Sequence, residues 1–130
     1  MTRDDGPIIV IAAVIERDGR FLVTRRLADT HLSGYWEFPG GKREPHETHA
    51  ACLTRELREE LDVAVDVGAE ILRTEHTYPA RTVRLHFHRC EIVGEPHAML
   101  GQEMRWVTRE EMRELQFPEA DRDLIVLLTE

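Results

Sequence analysis

Between Glu47 and Leu61, the apolar side chains Ala50, Leu53, Leu57 and Leu61 recur at the three- and four-residue spacing of one helical face. The spacing predicts a helix whose stripe packs on a sheet. Beside that stripe, Glu56, Glu59 and Glu60 stand at i, i+3 and i+4, so three carboxylates share an arc of about 100°. Like charges so crowded destabilise a helix unless a cation sits among the oxygens. Hard oxygen donors suit Mg2+ or Mn2+, and Mg2+ usually divides its shell among carboxylates, waters and substrate phosphates. Alone, Glu-Leu-Arg-Glu-Glu-Leu is ordinary surface-helix vocabulary. What precedes it adds weight, because five residues separate Gly41 from Glu47 and seven separate Glu47 from Arg55-Glu56.

The remaining chain reads as strands and short helices without repeats or linkers. Ile8 to Ile15 is a continuous apolar run, Glu16-Arg17-Asp18-Gly19 is a turn signal, and Arg20 to Arg26 resumes with Phe21, Leu22 and Val23. That pattern predicts a hairpin buried on at least one face. Ala28 to Gly34 is a polar connection, Tyr35 to Phe38 a short aromatic strand, and Pro39-Gly40-Gly41 a sharp break. Past the helix, Val63 to Tyr78 and Thr82 to Val93 alternate as strands, with Val83, Leu85 and Phe87 facing one way. Met104 to Val107 is another strand and Arg109 to Leu115 a helical turn or two. Ala120 to Leu128 is a closing helix with Leu124, Ile125, Leu127 and Leu128 as its buried side. Interleaved this way, the elements imply one α/β domain over residues 1–130, a mixed sheet with helices on both faces.

Charge narrows the partners. A formal net charge of -8 leaves no positive excess to displace counterions, so a nucleic-acid polymer is not expected. No apolar run approaches the ~20 residues that cross a bilayer, and no signal segment opens the chain, so neither membrane nor export is expected. Two cysteines, Cys52 and Cys90, give no disulfide framework, and a reducing cytoplasm is the expectation. Cys52 reads as a small packed thiol near the carboxylate arc. His86 and His88 would project from the same side of a strand, but no Cys or His pair completes a tetrahedral set at motif spacing, and zinc is not expected.

The segment from Gly41 to Val63 resembles the Nudix box, Gx5Ex7REUxEExGU with U a bulky aliphatic residue. Its defined positions are met except one, the second glycine, which is Asp62 here. Similarity to MutT-type nucleoside triphosphate pyrophosphohydrolases continues outside the box. It includes Thr24 to His31, Trp36-Glu37-Phe38-Pro39-Gly40-Gly41-Lys42, Tyr78-Pro79-Ala80-Arg81 and Phe117-Pro118-Glu119-Ala120-Asp121. The resemblance implies the Nudix alpha/beta/alpha sandwich and an Mg2+-dependent hydrolysis, with Mn2+ able to substitute, that yields a nucleoside monophosphate and pyrophosphate. Its biological sense would be sanitation of oxidised or non-standard nucleotides, or control of a pyrimidine triphosphate.

Residue by residue, the resemblance implies that Glu56, Glu59 and Glu60 hold the cations and that Glu47 adds a ligand directly or through water. Arg55 orients a glutamate. The general base is Glu56 first and Glu103 second, and Glu103 is also a candidate ligand. Lys42 meets a phosphate while Gly40 and Gly41 allow close approach. Arg26 and His31 approach phosphate or sugar, Phe38 and Tyr78 wall the base, and Arg81 contacts the nucleotide. Asp121 occupies the place of a base-reading asparagine. An ionised Asp only accepts, from the N1-H and amino group of a guanine or from the amino group of a cytosine. Its bland alternative is a helix N-cap. Other readings are hydrolysis of ADP-ribose, nucleotide sugars or dinucleoside polyphosphates, for which Pro79 does not discriminate, or a nucleotide-sensing module without catalysis. Monomer and homodimer both remain open.

Overall fold

Which face each residue of the first strand reaches organises the whole molecule. The structure, a computed structural model, describes residues 6–130. In it, β1 (Ile8–Arg17) sends Ile11, Ala13 and Ile15 to one face and Ala12 and Val14 to the other, and all five are buried. A strand covered on both sides explains the continuous apolar run. It turns at Asp18 and Gly19, with φ of 54° and 77°. Two consecutive positive φ angles are what a two-residue hairpin turn between twisted strands requires.

The hairpin continues into β2 (Arg20–Arg25), which pairs antiparallel with β3 (Trp36–Glu37) and β7 (Met104–Val107). On its other side β1 runs parallel to β6 (Arg81–Val93), from Ile8 opposite Val83 to Ile15 opposite Cys90. An antiparallel ribbon of β6 with β5 (Ala64–Tyr78) completes that edge. Among the described residues, the result is a seven-stranded mixed sheet with helices on both faces, as the sequence implies. On one face α1 (His49–Leu61) packs Cys52, Leu53, Leu57 and Leu61 against Ile11, Ala13, Leu22 and Ile92. On the other, Met112 of α2 (Arg109–Glu114) and Leu124 and Leu128 of α3 (Arg122–Thr129) meet Val14, Phe21 and Phe87. Among the described residues, no helix is long and apolar enough to cross a membrane.

Several local expectations change. Pro39-Gly40-Gly41 does not interrupt the sheet: Gly40–Lys42 is β4, antiparallel to Val10–Ala12 of β1. Gly40 has φ 151°, and a Cβ there would lie 2.0 Å from the Ile11 carbonyl oxygen, so glycine is what lets the two backbones meet. The helix begins at His49 because Thr48 is its N-cap, its hydroxyl accepting the Ala51 N–H at 3.0 Å. Cys52, not Ala50, completes the buried stripe, and Ala50 is exposed. At the other end Asp62 takes the left-handed conformation, φ 54° and ψ 43°, and its N–H reaches the Arg58 carbonyl. In α3, Leu124 and Leu128 are buried and Ile125 packs partly buried against the core, whereas Leu127 lies on the exposed side.

Candidate functional site

Strand β4 and helix α1 meet where Gly41 lies against the end of the Glu56 side chain. A Cβ on Gly41 would lie 2.4 Å from Glu56 Cδ and within 2.6 Å of both its oxygens. The Glu56 carboxylate therefore rests flat against the strand backbone. One turn later, burial raises the Glu60 carboxyl, joined by a hydrogen bond to Glu56 and by the charges of Glu56 and Glu37, while the Gly40 N–H opposes the shift. Two carboxylates this close cannot both ionise without help, so the pair retains a proton or takes a cation. That donor set, all hard oxygen and partly desolvated, fits Mg2+ or Mn2+. Glu59 lies on the solvent side with its side chain 60% exposed, 3.6 Å from Arg55.

Arg55 ties the loop to the helix. It makes two parallel bonds to Glu47 and one to Glu56, and donates through Nη2 to the Lys42 carbonyl at 3.1 Å. Those bonds, together with the Glu44 N–H, hold the Glu47 carboxyl down at about 2. Burial pushes the Cys52 thiol up to about 11, in keeping with a packed neutral side chain.

Across the sheet a cleft of about 160 Å³ opens over Val10, Ala12, Leu85 and Phe87. It collects Arg26 and His31 from the β2–β3 connection, with Phe38, Tyr78 and Asp121 from three other stretches of chain. The His31 and Tyr78 rings meet edge-on at 5.4 Å, and Phe38 stacks on Phe117 at 5.4 Å. Asp121 is 4% exposed; burial, then the charge of Glu37, raises its carboxyl to about 7. Asp121 stands at the N-cap position of α3, as the alternative reading has it, but its side chain makes no capping hydrogen bond.

Glu37 is a residue that motif reasoning quotes but does not single out. It pairs with Arg26 at 2.9 Å, and burial raises its carboxyl despite that partner. Together with Arg26 it lines both the cleft and a second hollow of about 120 Å³ that reaches Glu60 and Gln102. The two residues thus join the apolar cleft to the carboxylate helix. The available signal was position: Glu37 sits between Trp36 and Phe38, each 5% exposed.

Three expected residues lie apart from this assembly. Lys42 is exposed at the end of β4 and lines neither hollow. Arg81 faces a separate depression with Glu75, Thr77 and Arg84. Glu103 is exposed and paired with Arg25 at 3.1 Å, although its neighbour Gln102 donates to the Glu60 carbonyl at 3.1 Å and so fastens that loop to the end of α1.

Comparison with known proteins agrees with this geometry. Residues 10–127 match the model of the NUDIX domain family. The CTP pyrophosphohydrolase of Escherichia coli K12 is 40% identical over 121 residues, covering 92% of this chain and 88% of that protein. The 8-oxo-dGTP diphosphatase of Haemophilus influenzae is 38% identical over 125 residues, covering 93% and 91%. Among solved structures, the solution structure of the E. coli ORF135 protein is similar with a TM-score of 0.80 at 37% identity, covering 95% of this chain and 86% of that one.

Proposed function

This chain belongs to the Nudix hydrolase family, and from that premise we propose that it hydrolyses nucleoside triphosphates to a monophosphate and pyrophosphate, with Mg2+ or Mn2+, in nucleotide-pool sanitation. The observation that carries this reading is the Glu56–Glu60 carboxyl pair, closed under Gly40 and Gly41 and joined through Glu37 and Arg26 to the apolar cleft.

When bound, the cation neutralises the diphosphate and makes a water molecule more acidic. The chain's residues divide the remaining work. Glu56, Glu59 and Glu60 supply the oxygen donors. Glu47, with both oxygens engaged by Arg55, contributes through water or by fixing that arginine. Glu56 is the first candidate to accept the proton of the attacking water, because it is anchored by Arg55 and Glu60. Glu103 is the second, and it would have to leave Arg25 to do so. Arg26 stands at the mouth between the two hollows, where a triphosphate passing from base to helix would run. His31 and Tyr78 flank the base, Phe38 supplies an apolar wall, and Asp121 meets its polar edge.

Asp121 bears on which base is taken. Ionised, it accepts from the amino group of cytosine or from the two N–H groups of a guanine edge. The two relatives act on a cytosine and on an oxidised guanine triphosphate, as their names state, and both are substrates to test. A phosphate-release screen over normal, oxidised and methylated nucleoside triphosphates, with inorganic pyrophosphatase in one arm, tests the proposal. Phosphate should appear only in the arm containing pyrophosphatase. Equal release in both arms would contradict it.

A further inference from the structure

We propose that His49, Glu70, His86 and His88 form a second cation site, sharing no donor with the carboxylates of α1, that takes a borderline ion such as Zn2+. Sequence spacing hides it, because the donors come from three elements. His86 and His88 alternate on β6 on the face that α1 covers, each 9% exposed. His49 is the first residue of α1. Glu70 comes from β5, where the pairing with β6 is irregular on both sides of it, between Val67 and Glu70 and between Glu70 and Leu72. Gly68 makes that irregularity possible: a Cβ there would lie 2.7 Å from the Arg89 carbonyl oxygen. The bulge brings the Glu70 carboxylate to the two imidazoles.

The separations suit a small coordination sphere. Glu70 Oε1 is 2.8 Å from His86 Nδ1 and 3.7 Å from both His49 Nδ1 and His88 Nε2. His49 Nδ1 and His88 Nε2 are 2.8 Å apart. Donor atoms of His49, Glu70 and His86 all lie within 4.8 Å of one another. Around a tetrahedral ion bound at about 2.0–2.2 Å, ligand atoms stand roughly 3.3–3.6 Å apart, so small rotations about χ angles reconcile the two. A further observation concerns orientation. His88 Nδ1 donates to the Gly68 carbonyl at 2.9 Å, which fixes its tautomer and leaves the Nε2 lone pair facing His49 and Glu70. A backbone carbonyl on the far nitrogen is the usual outer partner of a metal-bound imidazole.

Without an ion the cluster is satisfied by its own hydrogen bonds, His49 Nδ1–H to His88 and His86 Nδ1–H to Glu70. The donor set nonetheless discriminates between ions, since imidazole favours Zn2+ over Mg2+. His49 and Glu70 keep about a third of their side-chain surface in solvent, which gives an ion its way in. An ion there would pin the first turn of α1, two residues after Glu47, to the β5–β6 ribbon.

Calorimetry and thermal melting of the whole chain, stripped with chelator and titrated with Zn2+ in excess Mg2+, test the site. The Mg2+ occupies the carboxylate site, and a Glu59→Gln variant checks that zinc is not bound there. One zinc per chain should bind, Tm should rise, and Glu59→Gln should retain the zinc. His49→Gln, at a half-exposed position, should weaken zinc binding by about tenfold or more, and His86→Gln/His88→Gln should abolish it. Absence of saturable binding, loss of zinc in Glu59→Gln, or zinc affinity unchanged in His49→Gln would overturn the proposal. Should the double variant not fold, His49→Gln alone decides.

Discussion

Arg55 grips Glu47 with two parallel bonds, Nε to Oε2 at 2.8 Å and Nη2 to Oε1 at 2.9 Å, while its Nη1 reaches Glu56 Oε2 at 2.9 Å. One guanidinium therefore sets the position of a loop glutamate and a helix glutamate at once. Lysine carries the charge but has no fork with which to do both. Arg55→Lys should keep the fold by circular dichroism and lose about 10–100-fold in kcat, the range for partners that orient metal ligands. Activity equal to the parent would mean that Glu56 needs no such positioning.

The carboxylates on α1 should matter very unequally from their neighbour. Glu59→Gln preserves shape and removes charge, and should cost about 10²-fold or more in kcat. Arg58, which is exposed and only 3.4 Å from an exposed Asp62 carboxylate, should tolerate Ala with little change. Steady-state kinetics on both variants tests this pair. Comparable rates for Glu59→Gln and the parent would place the cation elsewhere.

Asp121→Asn should flatten substrate preference. The side chain lines the cleft and, although Asp121 is the N-cap residue of α3, makes no capping hydrogen bond, so its exchange alters the base edge more than the helix start. Above about pH 7, where this carboxyl is ionised, replacing an acceptor by a group that also donates costs roughly 1.5–3 kcal/mol for one charge-assisted bond. The loss should fall on kcat/KM for the preferred nucleotide and much less on poor ones. An unchanged ranking with unchanged rates across guanine and cytosine triphosphates would move base reading to another residue.

The same residue gives the stability of the protein a pH dependence. Burial raises its carboxyl from an ordinary 3.8 to about 7, so between those values the folded chain holds a proton that the unfolded chain has released. The stabilisation from this group is complete at low pH and is lost as pH rises through about 7. Thermal melts in matched buffers should show the parent losing more Tm from about pH 5 to pH 8 than Asp121→Asn does. Parallel curves would show that the carboxyl is not desolvated.

The carboxylate-bearing helix was legible in the sequence because a stripe at helical spacing and a motif at fixed spacing agree over the same residues. Asp62, the one departure from the box, keeps the left-handed cap conformation that a glycine adopts freely. Strand β4 was not, since glycine and proline ordinarily end strands, whereas here the missing side chains let Gly40 and Gly41 pass Ile11 and Glu56. Glu37 escaped because a two-residue strand offers no alternation to read. That Arg81 lines a different depression from its neighbour Tyr78, across the turn that joins β5 to β6, was not legible either, because motif proximity does not say which way each side chain points. The histidine cluster depends on a bulge, and no spacing rule reports one.

Chromatography of the nucleotide products tests the central claim most directly. With CTP and with 8-oxo-dGTP in Mg2+, at least one should give the monophosphate and pyrophosphate, and excess EDTA should abolish the reaction. A diphosphate with orthophosphate, or full activity in EDTA, would contradict it.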